Sequence, residues 1–288
     1  MNPKNKGWGK VYFCPTPLGN LKDITLRALE VLKSVDCVVC EDTRVTLRLL
    51  NAYGIKKSLL SYHAHNVPRA TREILKAVKE GKDLAFVSDA GTPGIQDPGM
   101  ELVSVLLQEG VPFEVLPGPS ALVLGVVYSG FSLRGFIFLG FLPRKTKERK
   151  ALLQKALSLS QSTVLYESPH RLWKTLKDLQ DIGGEGRRVL VARELTKLHE
   201  EILRGSLGEI QEKLAERNIR GEVLIVVEGK SGEEPQPLVP RKFLELLLAR
   251  GMTPKDVVEI FSEGLGIKKS VLKEQIATLF GTPRQPES

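Results

Sequence analysis

The sequence predicts an α/β protein with two domains, a parallel sheet followed by a mixed sheet, and a small helical C-terminal appendix. Over residues 10–120, short apolar segments alternate with amphipathic helical patterns, which is typical of a parallel sheet covered on both faces. In residues 121–230, the segments "RRVLVAREL" and "HEEILRG" have little helix between them, which indicates antiparallel strands. Three short helical patterns occupy residues 241–281.

The elements of the N-terminal domain, residues 10–120, follow one another in a regular order. The predicted pairs of strand and helix are "KVYFC" with "DITLRALEVLK", "DCVVCED" with "TRVTLRLLNAYG", "SLLSYH" with "PRATREILKAVKEG", "DLAFVSD" with "PGMELVSVLLQEG", and "PFEVLPG" with "PSALVLGVVYSG". Ligands of such sheets bind outside the carboxyl ends of the strands. The clusters that follow these strands are polar, namely "TPLGN", "EDTR", "SYHAHN", "SDAGTPG" and "PGPSA". A binding site is therefore expected at this edge.

The second domain, residues 121–230, and the tail follow different patterns. Strands are predicted at "GFIFLGFLP", "STVLYES" and "EVLIVVEG", and helices at "RKTKERKALLQKAL" and "PHRLWKTLKDLQDIGG". Residues 231–240 are rich in Gly, Pro and charged residues and are predicted to be a linker. The helices of 241–281 suggest a helix-turn-helix-like domain, although a packing bundle or a dimer contact would show the same pattern.

Composition and charge restrict the class of protein. Hydrophobic residues make up 42% of the 288 residues, which is enough for a sizeable core. There is no apolar run long enough to span a membrane and no signal-peptide pattern in "MNPKNKGWGK", so we expect a cytoplasmic protein without a membrane partner. The net charge of +8 favours anionic partners, nucleic acid first. The aromatic fraction of 6% disfavours an extended base-stacking platform.

The three cysteines fit a reducing compartment. Cys37 and Cys40 form a CxxC within the apolar segment "VDCVVCED". Without a second Cys pair, core packing is favoured over metal or redox chemistry. No metal site is predicted.

The loop "SDAGTPG" (88–94) raises the question of what it holds. It lacks the lysine of a phosphate-binding Walker loop and the G-x-G-x-x-G of a dinucleotide loop, and Asp89 at its start disfavours a phosphate. Its small residues still allow a ligand to approach the backbone closely. S-adenosylmethionine, a phosphate-free nucleoside with a sulfonium cation, suits such a loop, and a tight structural turn is the alternative. Ser120 of "LPGPSA" could cap the next helix as well as contact a ligand.

Eight motifs occur in order over residues 10–230. They are "TPLGNLKDITLRALEVLKSVD", "EDTR", "SYHAHN", "SDAGTPGIQDPG", "PGPSA", "GFLPRK", "YESPHR" and "ARELTKLHEE". This set resembles the tetrapyrrole methylase superfamily and, within it, the bacterial 16S ribosomal RNA cytidine-2′-O-methyltransferases. The helical tail resembles the C-terminal helix-turn-helix-like domain of that family.

The resemblance implies a class III methyltransferase fold, with S-adenosylmethionine in the cleft between the two domains. It also implies a homodimer that methylates the ribose 2′-oxygen of a cytidine in the decoding region of 16S rRNA, within the small ribosomal subunit. The cofactor-binding residues that it implies are Pro17, Leu18, Asp89, Ala90, Gly91, Thr92, Pro93, Ser120, Ala121, Tyr166, Glu167, Glu222 and Val223. Ser88 stands where relatives have Gly.

Methyl transfer to an alcohol requires alignment of the reactants and is helped by a general base. The main candidates are Lys197, Asp42, Glu167 and His63, followed by His65, His170 and Glu194. Several have structural alternatives, such as an ion pair of Asp42 with Arg44 or a helix pair of Glu167 with Arg171. Lys197 of "ELTK" is a candidate because a lysine with a lowered pKa can accept a proton.

RNA contact is predicted for the basic segment "PRKTKERK" (143–150) and neighbouring cations. The predicted RNA-binding residues are Arg44, Arg144, Lys145, Lys147, Arg149, Lys150, His170 and Arg171. A solvated charged face is the structural alternative. Two other functions stay open, a methylase of a tetrapyrrole intermediate and a non-catalytic RNA-binding protein of ribosome assembly.

Overall fold

The computed structural model describes residues 7–97, 99–131, 135–215, 217–230 and 239–279. The chain divides into two compact units, Met1–Lys230 and Ser231–Ser288. The first unit contains two five-stranded sheets. A domain boundary inside this unit, at residue 120, stays a prediction.

The first sheet is parallel throughout, as predicted, with the strand order β3-β2-β4-β1-β5. Its strands are β1 (Val11–Cys14), β2 (Cys37–Cys40), β3 (Ser58–Ser61), β4 (Leu84–Val87) and β5 (Phe113–Val115). Its helices are α1 (Leu26–Ser34), α2 (Thr43–Ala52), α3 (Val67–Lys79) and α4 (Gly99–Glu109). Helix α5 (Ala121–Ser129) follows β5 in the chain but packs on the second sheet, where Val126 joins the cluster of Val164 and Leu224. The central strand β4 is buried at every residue, because helices cover both faces of a parallel sheet.

The second sheet is mixed, as predicted, with the order β6-β7-β10-β8-β9. Its strands are β6 (Phe136–Phe141), β7 (Ser162–Glu167), β8 (Arg188–Arg193), β9 (Glu201–Ser206) and β10 (Val223–Val227), and its helices are α6 (Thr146–Leu157), α7 (Pro169–Gly183) and α8 (Leu207–Leu214). Strands β6 and β7 are parallel, whereas the other three pairs are antiparallel. Helix α8 was not predicted, although Ser206 and Glu209 form a capping box at its start.

The two cysteines of the CxxC pack on opposite faces of the first sheet. Cys37 packs with the cluster of Phe13 and Ile74, whereas Cys40 packs with the cluster of Cys14 and Leu32. Residues three apart on a strand point to opposite faces, so the two thiols cannot chelate one ion. The core-packing interpretation is therefore confirmed.

We expect the buried thiols to resist alkylation in the native protein. Burial raises the pKa of Cys14 to about 12 and also raises the pKa of Cys40, and the thiolate is the reactive form. Iodoacetamide at pH 8, followed by mass spectrometry, should modify half-buried Cys37 first and the other two after unfolding. Rapid native labelling of Cys14 would contradict this burial.

The second unit contains the three predicted helices, α9 (Arg241–Ala249), α10 (Pro254–Leu265) and α11 (Lys269–Leu279). They enclose a cluster that includes Leu244, Val257 and Leu272. Thr253 caps α10 in a capping box with Asp256, as a Thr before Pro254 predicts. The predicted linker, residues 231–240, lies largely outside the described residues. The resemblance of the three helices to a helix-turn-helix domain stays a prediction. Within the described ranges, none of the helices could cross a membrane.

Candidate active site

A cleft of about 420 Å³ lies between the two sheets of the first unit. The loops after β2 and β4 form one wall, and the end of β7 and the start of β10 form another. The latter two segments meet because the antiparallel register pairs Val223 with Glu167. The lining residues are Leu18, Glu41, Ser88, Asp89, Ala90, Gly91, Thr92, Ile95, Gln96, Asp97, Ser120, Ala121, Phe141, Tyr166, Glu167, Ser168, Pro169, Ala192, Leu195, Gly221, Glu222, Val223 and Leu224. This set contains every predicted cofactor-binding residue except Pro17 and Pro93.

The loop after β4 is held by contacts with two other loops. Thr16 and Gly91 exchange backbone hydrogen bonds of 2.9 and 3.0 Å, and Thr92 Oγ1 donates to the Pro119 carbonyl at 3.0 Å. Gly91 has φ +80°, and a Cβ there would lie 3.1 Å from Leu18 Cδ2. A side chain at this position would therefore strain the loop and crowd the cleft.

Ser120 stands at the N-terminus of α5 but does not cap it. Its side chain makes no cap hydrogen bond, so the capping interpretation is wrong. Among the described residues, no group bonds to its hydroxyl, which leaves that hydroxyl available to a ligand in the cleft. Tyr166 lies on the facing wall, with its ring 5.0 Å from the Phe138 ring and 5.8 Å from the Phe141 ring.

Five carboxylates line the cleft, those of Glu41, Asp89, Asp97, Glu167 and Glu222. Glu167 is paired with Arg171, and the other four make the cleft acidic. Burial raises the pKa of Glu41, and the charges of Asp89 and Asp97 raise it further, while His63 lowers it. Burial also raises the pKa of Asp89. Such a site attracts cations and repels polyphosphates, as the sequence of the loop predicted.

Gln96 lines the cleft but was not predicted as a site residue, because its contact with strand β6 is distant in sequence. It has φ +67°, which is uncommon for a residue other than glycine. Its side-chain oxygen accepts a hydrogen bond from the Phe141 N–H at 3.3 Å, and a Cβ on Gly140 would lie 2.2 Å from its Nε2. Gln96 thus links the loop after β4 to strand β6.

The Lys197 side chain lies between two carboxylates. Its Nζ is 2.9 Å from Glu194 Oε1 and 3.2 Å from Glu222 Oε2. Burial lowers the pKa of Lys197, but the hydrogen bond to Glu194 and the charge of Glu222 outweigh it, so the pKa is raised overall. The expectation of a lowered pKa is therefore wrong, because the two anions stabilise the ammonium form.

The other main candidates for a base are also engaged. Arg44 lowers the pKa of Asp42 to about 2 through hydrogen bonds from its side chain and its backbone N–H. Glu167 is 2% exposed and accepts hydrogen bonds from Thr175 Oγ1 at 2.6 Å and Ser168 N at 2.8 Å. The His63 ring packs edge-on against the ring of His65 at 6.0 Å. Of these three residues, Glu167 lines the cleft, whereas Asp42 and His63 do not.

Arg149 was predicted to bind RNA, and this prediction is wrong. Its side chain is 2% exposed and its Nε lies 2.6 Å from Asp178 Oδ2. The basic segment forms the first turns of α6, so one of its residues must face the sheet. Arg149 occupies that position, where the Asp178 carboxylate neutralises its charge.

The remaining predicted RNA-binding residues divide into paired and unpaired cations. The paired ones are Arg44 with Asp42, Lys145 with Glu148, Lys150 with Asp178 and Asp181, and Arg171 with Glu167. Arg144, Lys147 and His170 are exposed. Their side chains have no ion pair or hydrogen bond within the described part of the chain.

A parallel sheet and a mixed sheet with an acidic cleft between them define a class of two-sheet α/β proteins. Comparison with known proteins identifies the family. The profile of the family described as Tetrapyrrole (Corrin/Porphyrin) Methylases matches residues 10–211. The chain belongs to this family.

Individual relatives match most of the chain. It is 47% identical over 222 residues to the Ribosomal RNA small subunit methyltransferase I of Thermotoga maritima, with 77% of this chain and 99% of the relative covered. Proteins of the same name from Bacillus subtilis and Escherichia coli O157:H7 are each 40% identical, with 87% and 92% of this chain and 88% and 93% of the relatives covered. These matches confirm the resemblance that the motifs indicated.

Solved structures share the fold at lower identity. Cobalt precorrin-4 methyltransferase, a cobalamin biosynthetic enzyme, superposes with a TM-score of 0.61 at 21% identity, with 79% of this chain and 98% of that chain covered. Uroporphyrin-III C-methyltransferase from Thermus thermophilus, complexed with S-adenosylhomocysteine, gives 0.55 at 22% identity, with 76% and 97% covered. At these identities the likeness establishes the fold alone.

Proposed function

We propose that this chain transfers a methyl group from S-adenosylmethionine to the ribose 2′-oxygen of a cytidine in the decoding region of 16S rRNA. The acceptor is the small ribosomal subunit, which places the reaction in the cytoplasm. The observation that carries the proposal is the acidic cleft at the carboxyl edge of a parallel sheet. It occurs in a chain that is 47% identical over 222 residues to a relative named Ribosomal RNA small subunit methyltransferase I.

The residues of the cleft fit S-adenosylmethionine, which supplies a methyl group bonded to a positively charged sulfur. The carboxylates of Glu41, Asp89 and Glu222 favour a cation there. Ser120 offers a hydroxyl with no partner in the described structure, and Tyr166 offers an aromatic wall. The backbone of residues 89–92 and 221–224 allows close approach, because small residues and a strand end form those walls. We assign cofactor binding to these segments.

The ion pairs around the cleft fix its shape. Glu194 Oε1 accepts hydrogen bonds from Glu222 N and Lys197 Nζ, both at 2.9 Å. Glu194 and Thr196 both have positive φ, a conformation that must be stabilised by surrounding contacts. We therefore propose that Lys197 positions Glu222 and does not act as the base.

The cations Arg144, Lys147 and His170, exposed and unpaired among the described residues, supply the contact with RNA phosphates. We expect the double variant Arg144→Ala/Lys147→Ala to lower the slope of log affinity against log salt by about 2, because each lost phosphate contact removes about one unit. Binding of small subunits at several salt concentrations measures this slope. Lys79→Ala is the matched control, since Lys79 pairs with Glu109 on another surface. An unchanged slope in the double variant would contradict the assignment.

We also propose a homodimer in which α5 contributes to the contact. Val123 and Val127 lie one turn apart on this helix and are 56% and 71% exposed, so they present an apolar face. We expect Val127→Glu to convert a dimer into a monomer in sedimentation equilibrium, while Leu47→Glu on α2 leaves the dimer intact. A wild-type protein that sediments as a monomer at micromolar concentration would contradict this assignment.

The experiment that tests the proposed function compares acceptors. Purified protein and methyl-labelled S-adenosylmethionine are incubated with undermodified small subunits, free 16S rRNA, large subunits or a uroporphyrinogen. We expect label in the small subunit, recovered as 2′-O-methylcytidine by mass spectrometry of nucleosides. Label in the tetrapyrrole would assign the chain to the chemistry of its structural neighbours. Absence of S-adenosylhomocysteine binding would instead favour a non-catalytic RNA-binding protein.

A further inference from the structure

A second pocket of about 230 Å³ adjoins the cleft. Residues of the loop after β1, including Pro17 and Gly19, form one wall, and Val45 and Arg48 of α2 form another. Ser88 and Asp89 line both cavities. The placement of the cofactor uses only the larger cavity, so the smaller one has no assigned occupant.

The two shared residues differ in what they can still bind. The Ser88 hydroxyl already donates to the Gly91 carbonyl at 3.0 Å. The Asp89 carboxylate accepts from Asp42 N through Oδ1 at 3.2 Å. Its Oδ2 has no hydrogen-bond partner within the described residues. A carboxylate oxygen free to accept a proton therefore lies where the two cavities meet.

The mouth of the second pocket carries an unpaired cation. Arg48 is exposed, lines the pocket, and makes no ion pair or hydrogen bond within the part of the chain that the structure describes. Arg44, one turn earlier on α2, is by contrast neutralised by Asp42 at 2.6 Å. A free guanidinium at a pocket mouth suits a phosphate group.

We propose that the second pocket binds the acceptor nucleoside of the RNA, with Arg48 on its phosphate and Asp89 Oδ2 receiving the proton of its acceptor hydroxyl. This inference rests on the proposed function and specifies its substrate site. The pocket is smaller than the 300–1,000 Å³ of ordinary ligand sites, so it admits one nucleoside extruded from its stack and excludes a helix.

The proton balance of this arrangement is complete. The acceptor O–H bond breaks and its proton passes to Asp89 Oδ2, while the oxygen forms its new bond to the methyl carbon. The carbon–sulfur bond breaks with its electron pair on sulfur, which leaves a neutral thioether. Asp89 then returns the proton to solvent. Burial raises the pKa of Asp89 above the usual range for aspartate, although the backbone N–H of Asp42 opposes this, and a less acidic carboxylic acid is the better base in its ionised form.

The first test measures binding without catalysis. Cytidine 5′-monophosphate is titrated into protein saturated with S-adenosylhomocysteine, and its dissociation constant is determined by NMR. We expect Arg48→Gln and the pocket-filling Val45→Phe each to weaken it at least tenfold, with the affinity for S-adenosylhomocysteine unchanged. Arg72→Gln, which removes an exposed arginine of α3, is the matched control. Equal nucleotide affinity in wild type, Arg48→Gln and Val45→Phe would overturn the pocket assignment.

The second test separates binding from proton transfer. We expect Arg48→Gln to raise KM for small subunits, and Asp89→Asn to lower kcat about 100-fold or more with little change in KM. Asp89→Asn with kcat near wild type would overturn its role as the base. If the wild-type protein methylates no RNA, the proposed function fails, and the nucleotide titration still decides whether the pocket binds a nucleotide.

Discussion

Replacing Asp178 with alanine is expected to lower the free energy of unfolding by about 3–5 kcal/mol, because it leaves a buried arginine without its counter-charge. Asp178 is 5% exposed and Arg149 is 1% exposed. The pair is joined by a contact of 2.6 Å, and Arg149 also donates to the Arg144 carbonyl at 3.1 Å. Urea denaturation monitored by circular dichroism measures the loss.

Two further variants make this prediction specific. Glu73→Ala removes the partner of Arg69 in an exposed pair and should cost less than about 1 kcal/mol. Arg149→Met/Asp178→Leu removes both charges and should recover most of the stability lost in Asp178→Ala. A loss below about 1 kcal/mol in Asp178→Ala would show that Arg149 is solvated and available to RNA after all.

The double variant Glu41→Gln/Glu222→Gln is expected to weaken the binding of S-adenosylmethionine about tenfold, and that of S-adenosylhomocysteine much less. S-adenosylmethionine carries a methyl group on a positively charged sulfur, whereas the sulfur of S-adenosylhomocysteine is neutral. The carboxylates of the cleft therefore attract the first ligand more strongly than the second. Glu222 is 71% exposed at its side chain, and its loss should leave the fold intact. Isothermal titration calorimetry with both ligands measures the preference. Glu73→Gln, outside the cleft, is the control.

The preference for S-adenosylmethionine over S-adenosylhomocysteine should decrease as the pH is lowered. The pKa values of Glu41 and Asp89 are raised mainly by burial, so these groups become neutral at higher pH than ordinary carboxyls. As the pH falls through these raised pKa values, the cleft loses negative charge and the preference for the sulfonium ligand should decline. Equal losses for both ligands, in the variant or at low pH, would show that the cleft does not act through charge.

Much of the fold could be predicted because it depends on local patterns. Buried parallel strands such as "LAFV" are apolar at every residue, and the helices between them are amphipathic. The order of the motifs placed the binding loops at the carboxyl edge of the first sheet, because topology brings those ends together. The cleft accordingly contains Asp89, Ser120 and Tyr166, as the resemblance implied.

The errors concern residues whose state depends on partners distant in sequence. Arg149 is neutralised by Asp178, which belongs to another helix, and charge composition alone cannot reveal this pair. The ammonium form of Lys197 is stabilised by Glu194, three residues earlier, and also by Glu222, which lies just before β10 and is distant in sequence. Pro93 is buried and does not line the cleft, and Pro17 lines the second pocket instead. Each outcome depends on tertiary geometry that no local pattern specifies.

The most direct test of the central claim is analysis of 16S rRNA from bacteria that lack their own relative of this chain. Mass spectrometry of the digested RNA would compare cells without the chain, cells expressing it, and cells expressing Glu41→Gln/Glu222→Gln. We expect one additional 2′-O-methylcytidine with the wild-type chain and a lower yield with the variant. A stably expressed wild-type chain that binds S-adenosylhomocysteine but adds no ribose methyl group to the small-subunit RNA would contradict the account.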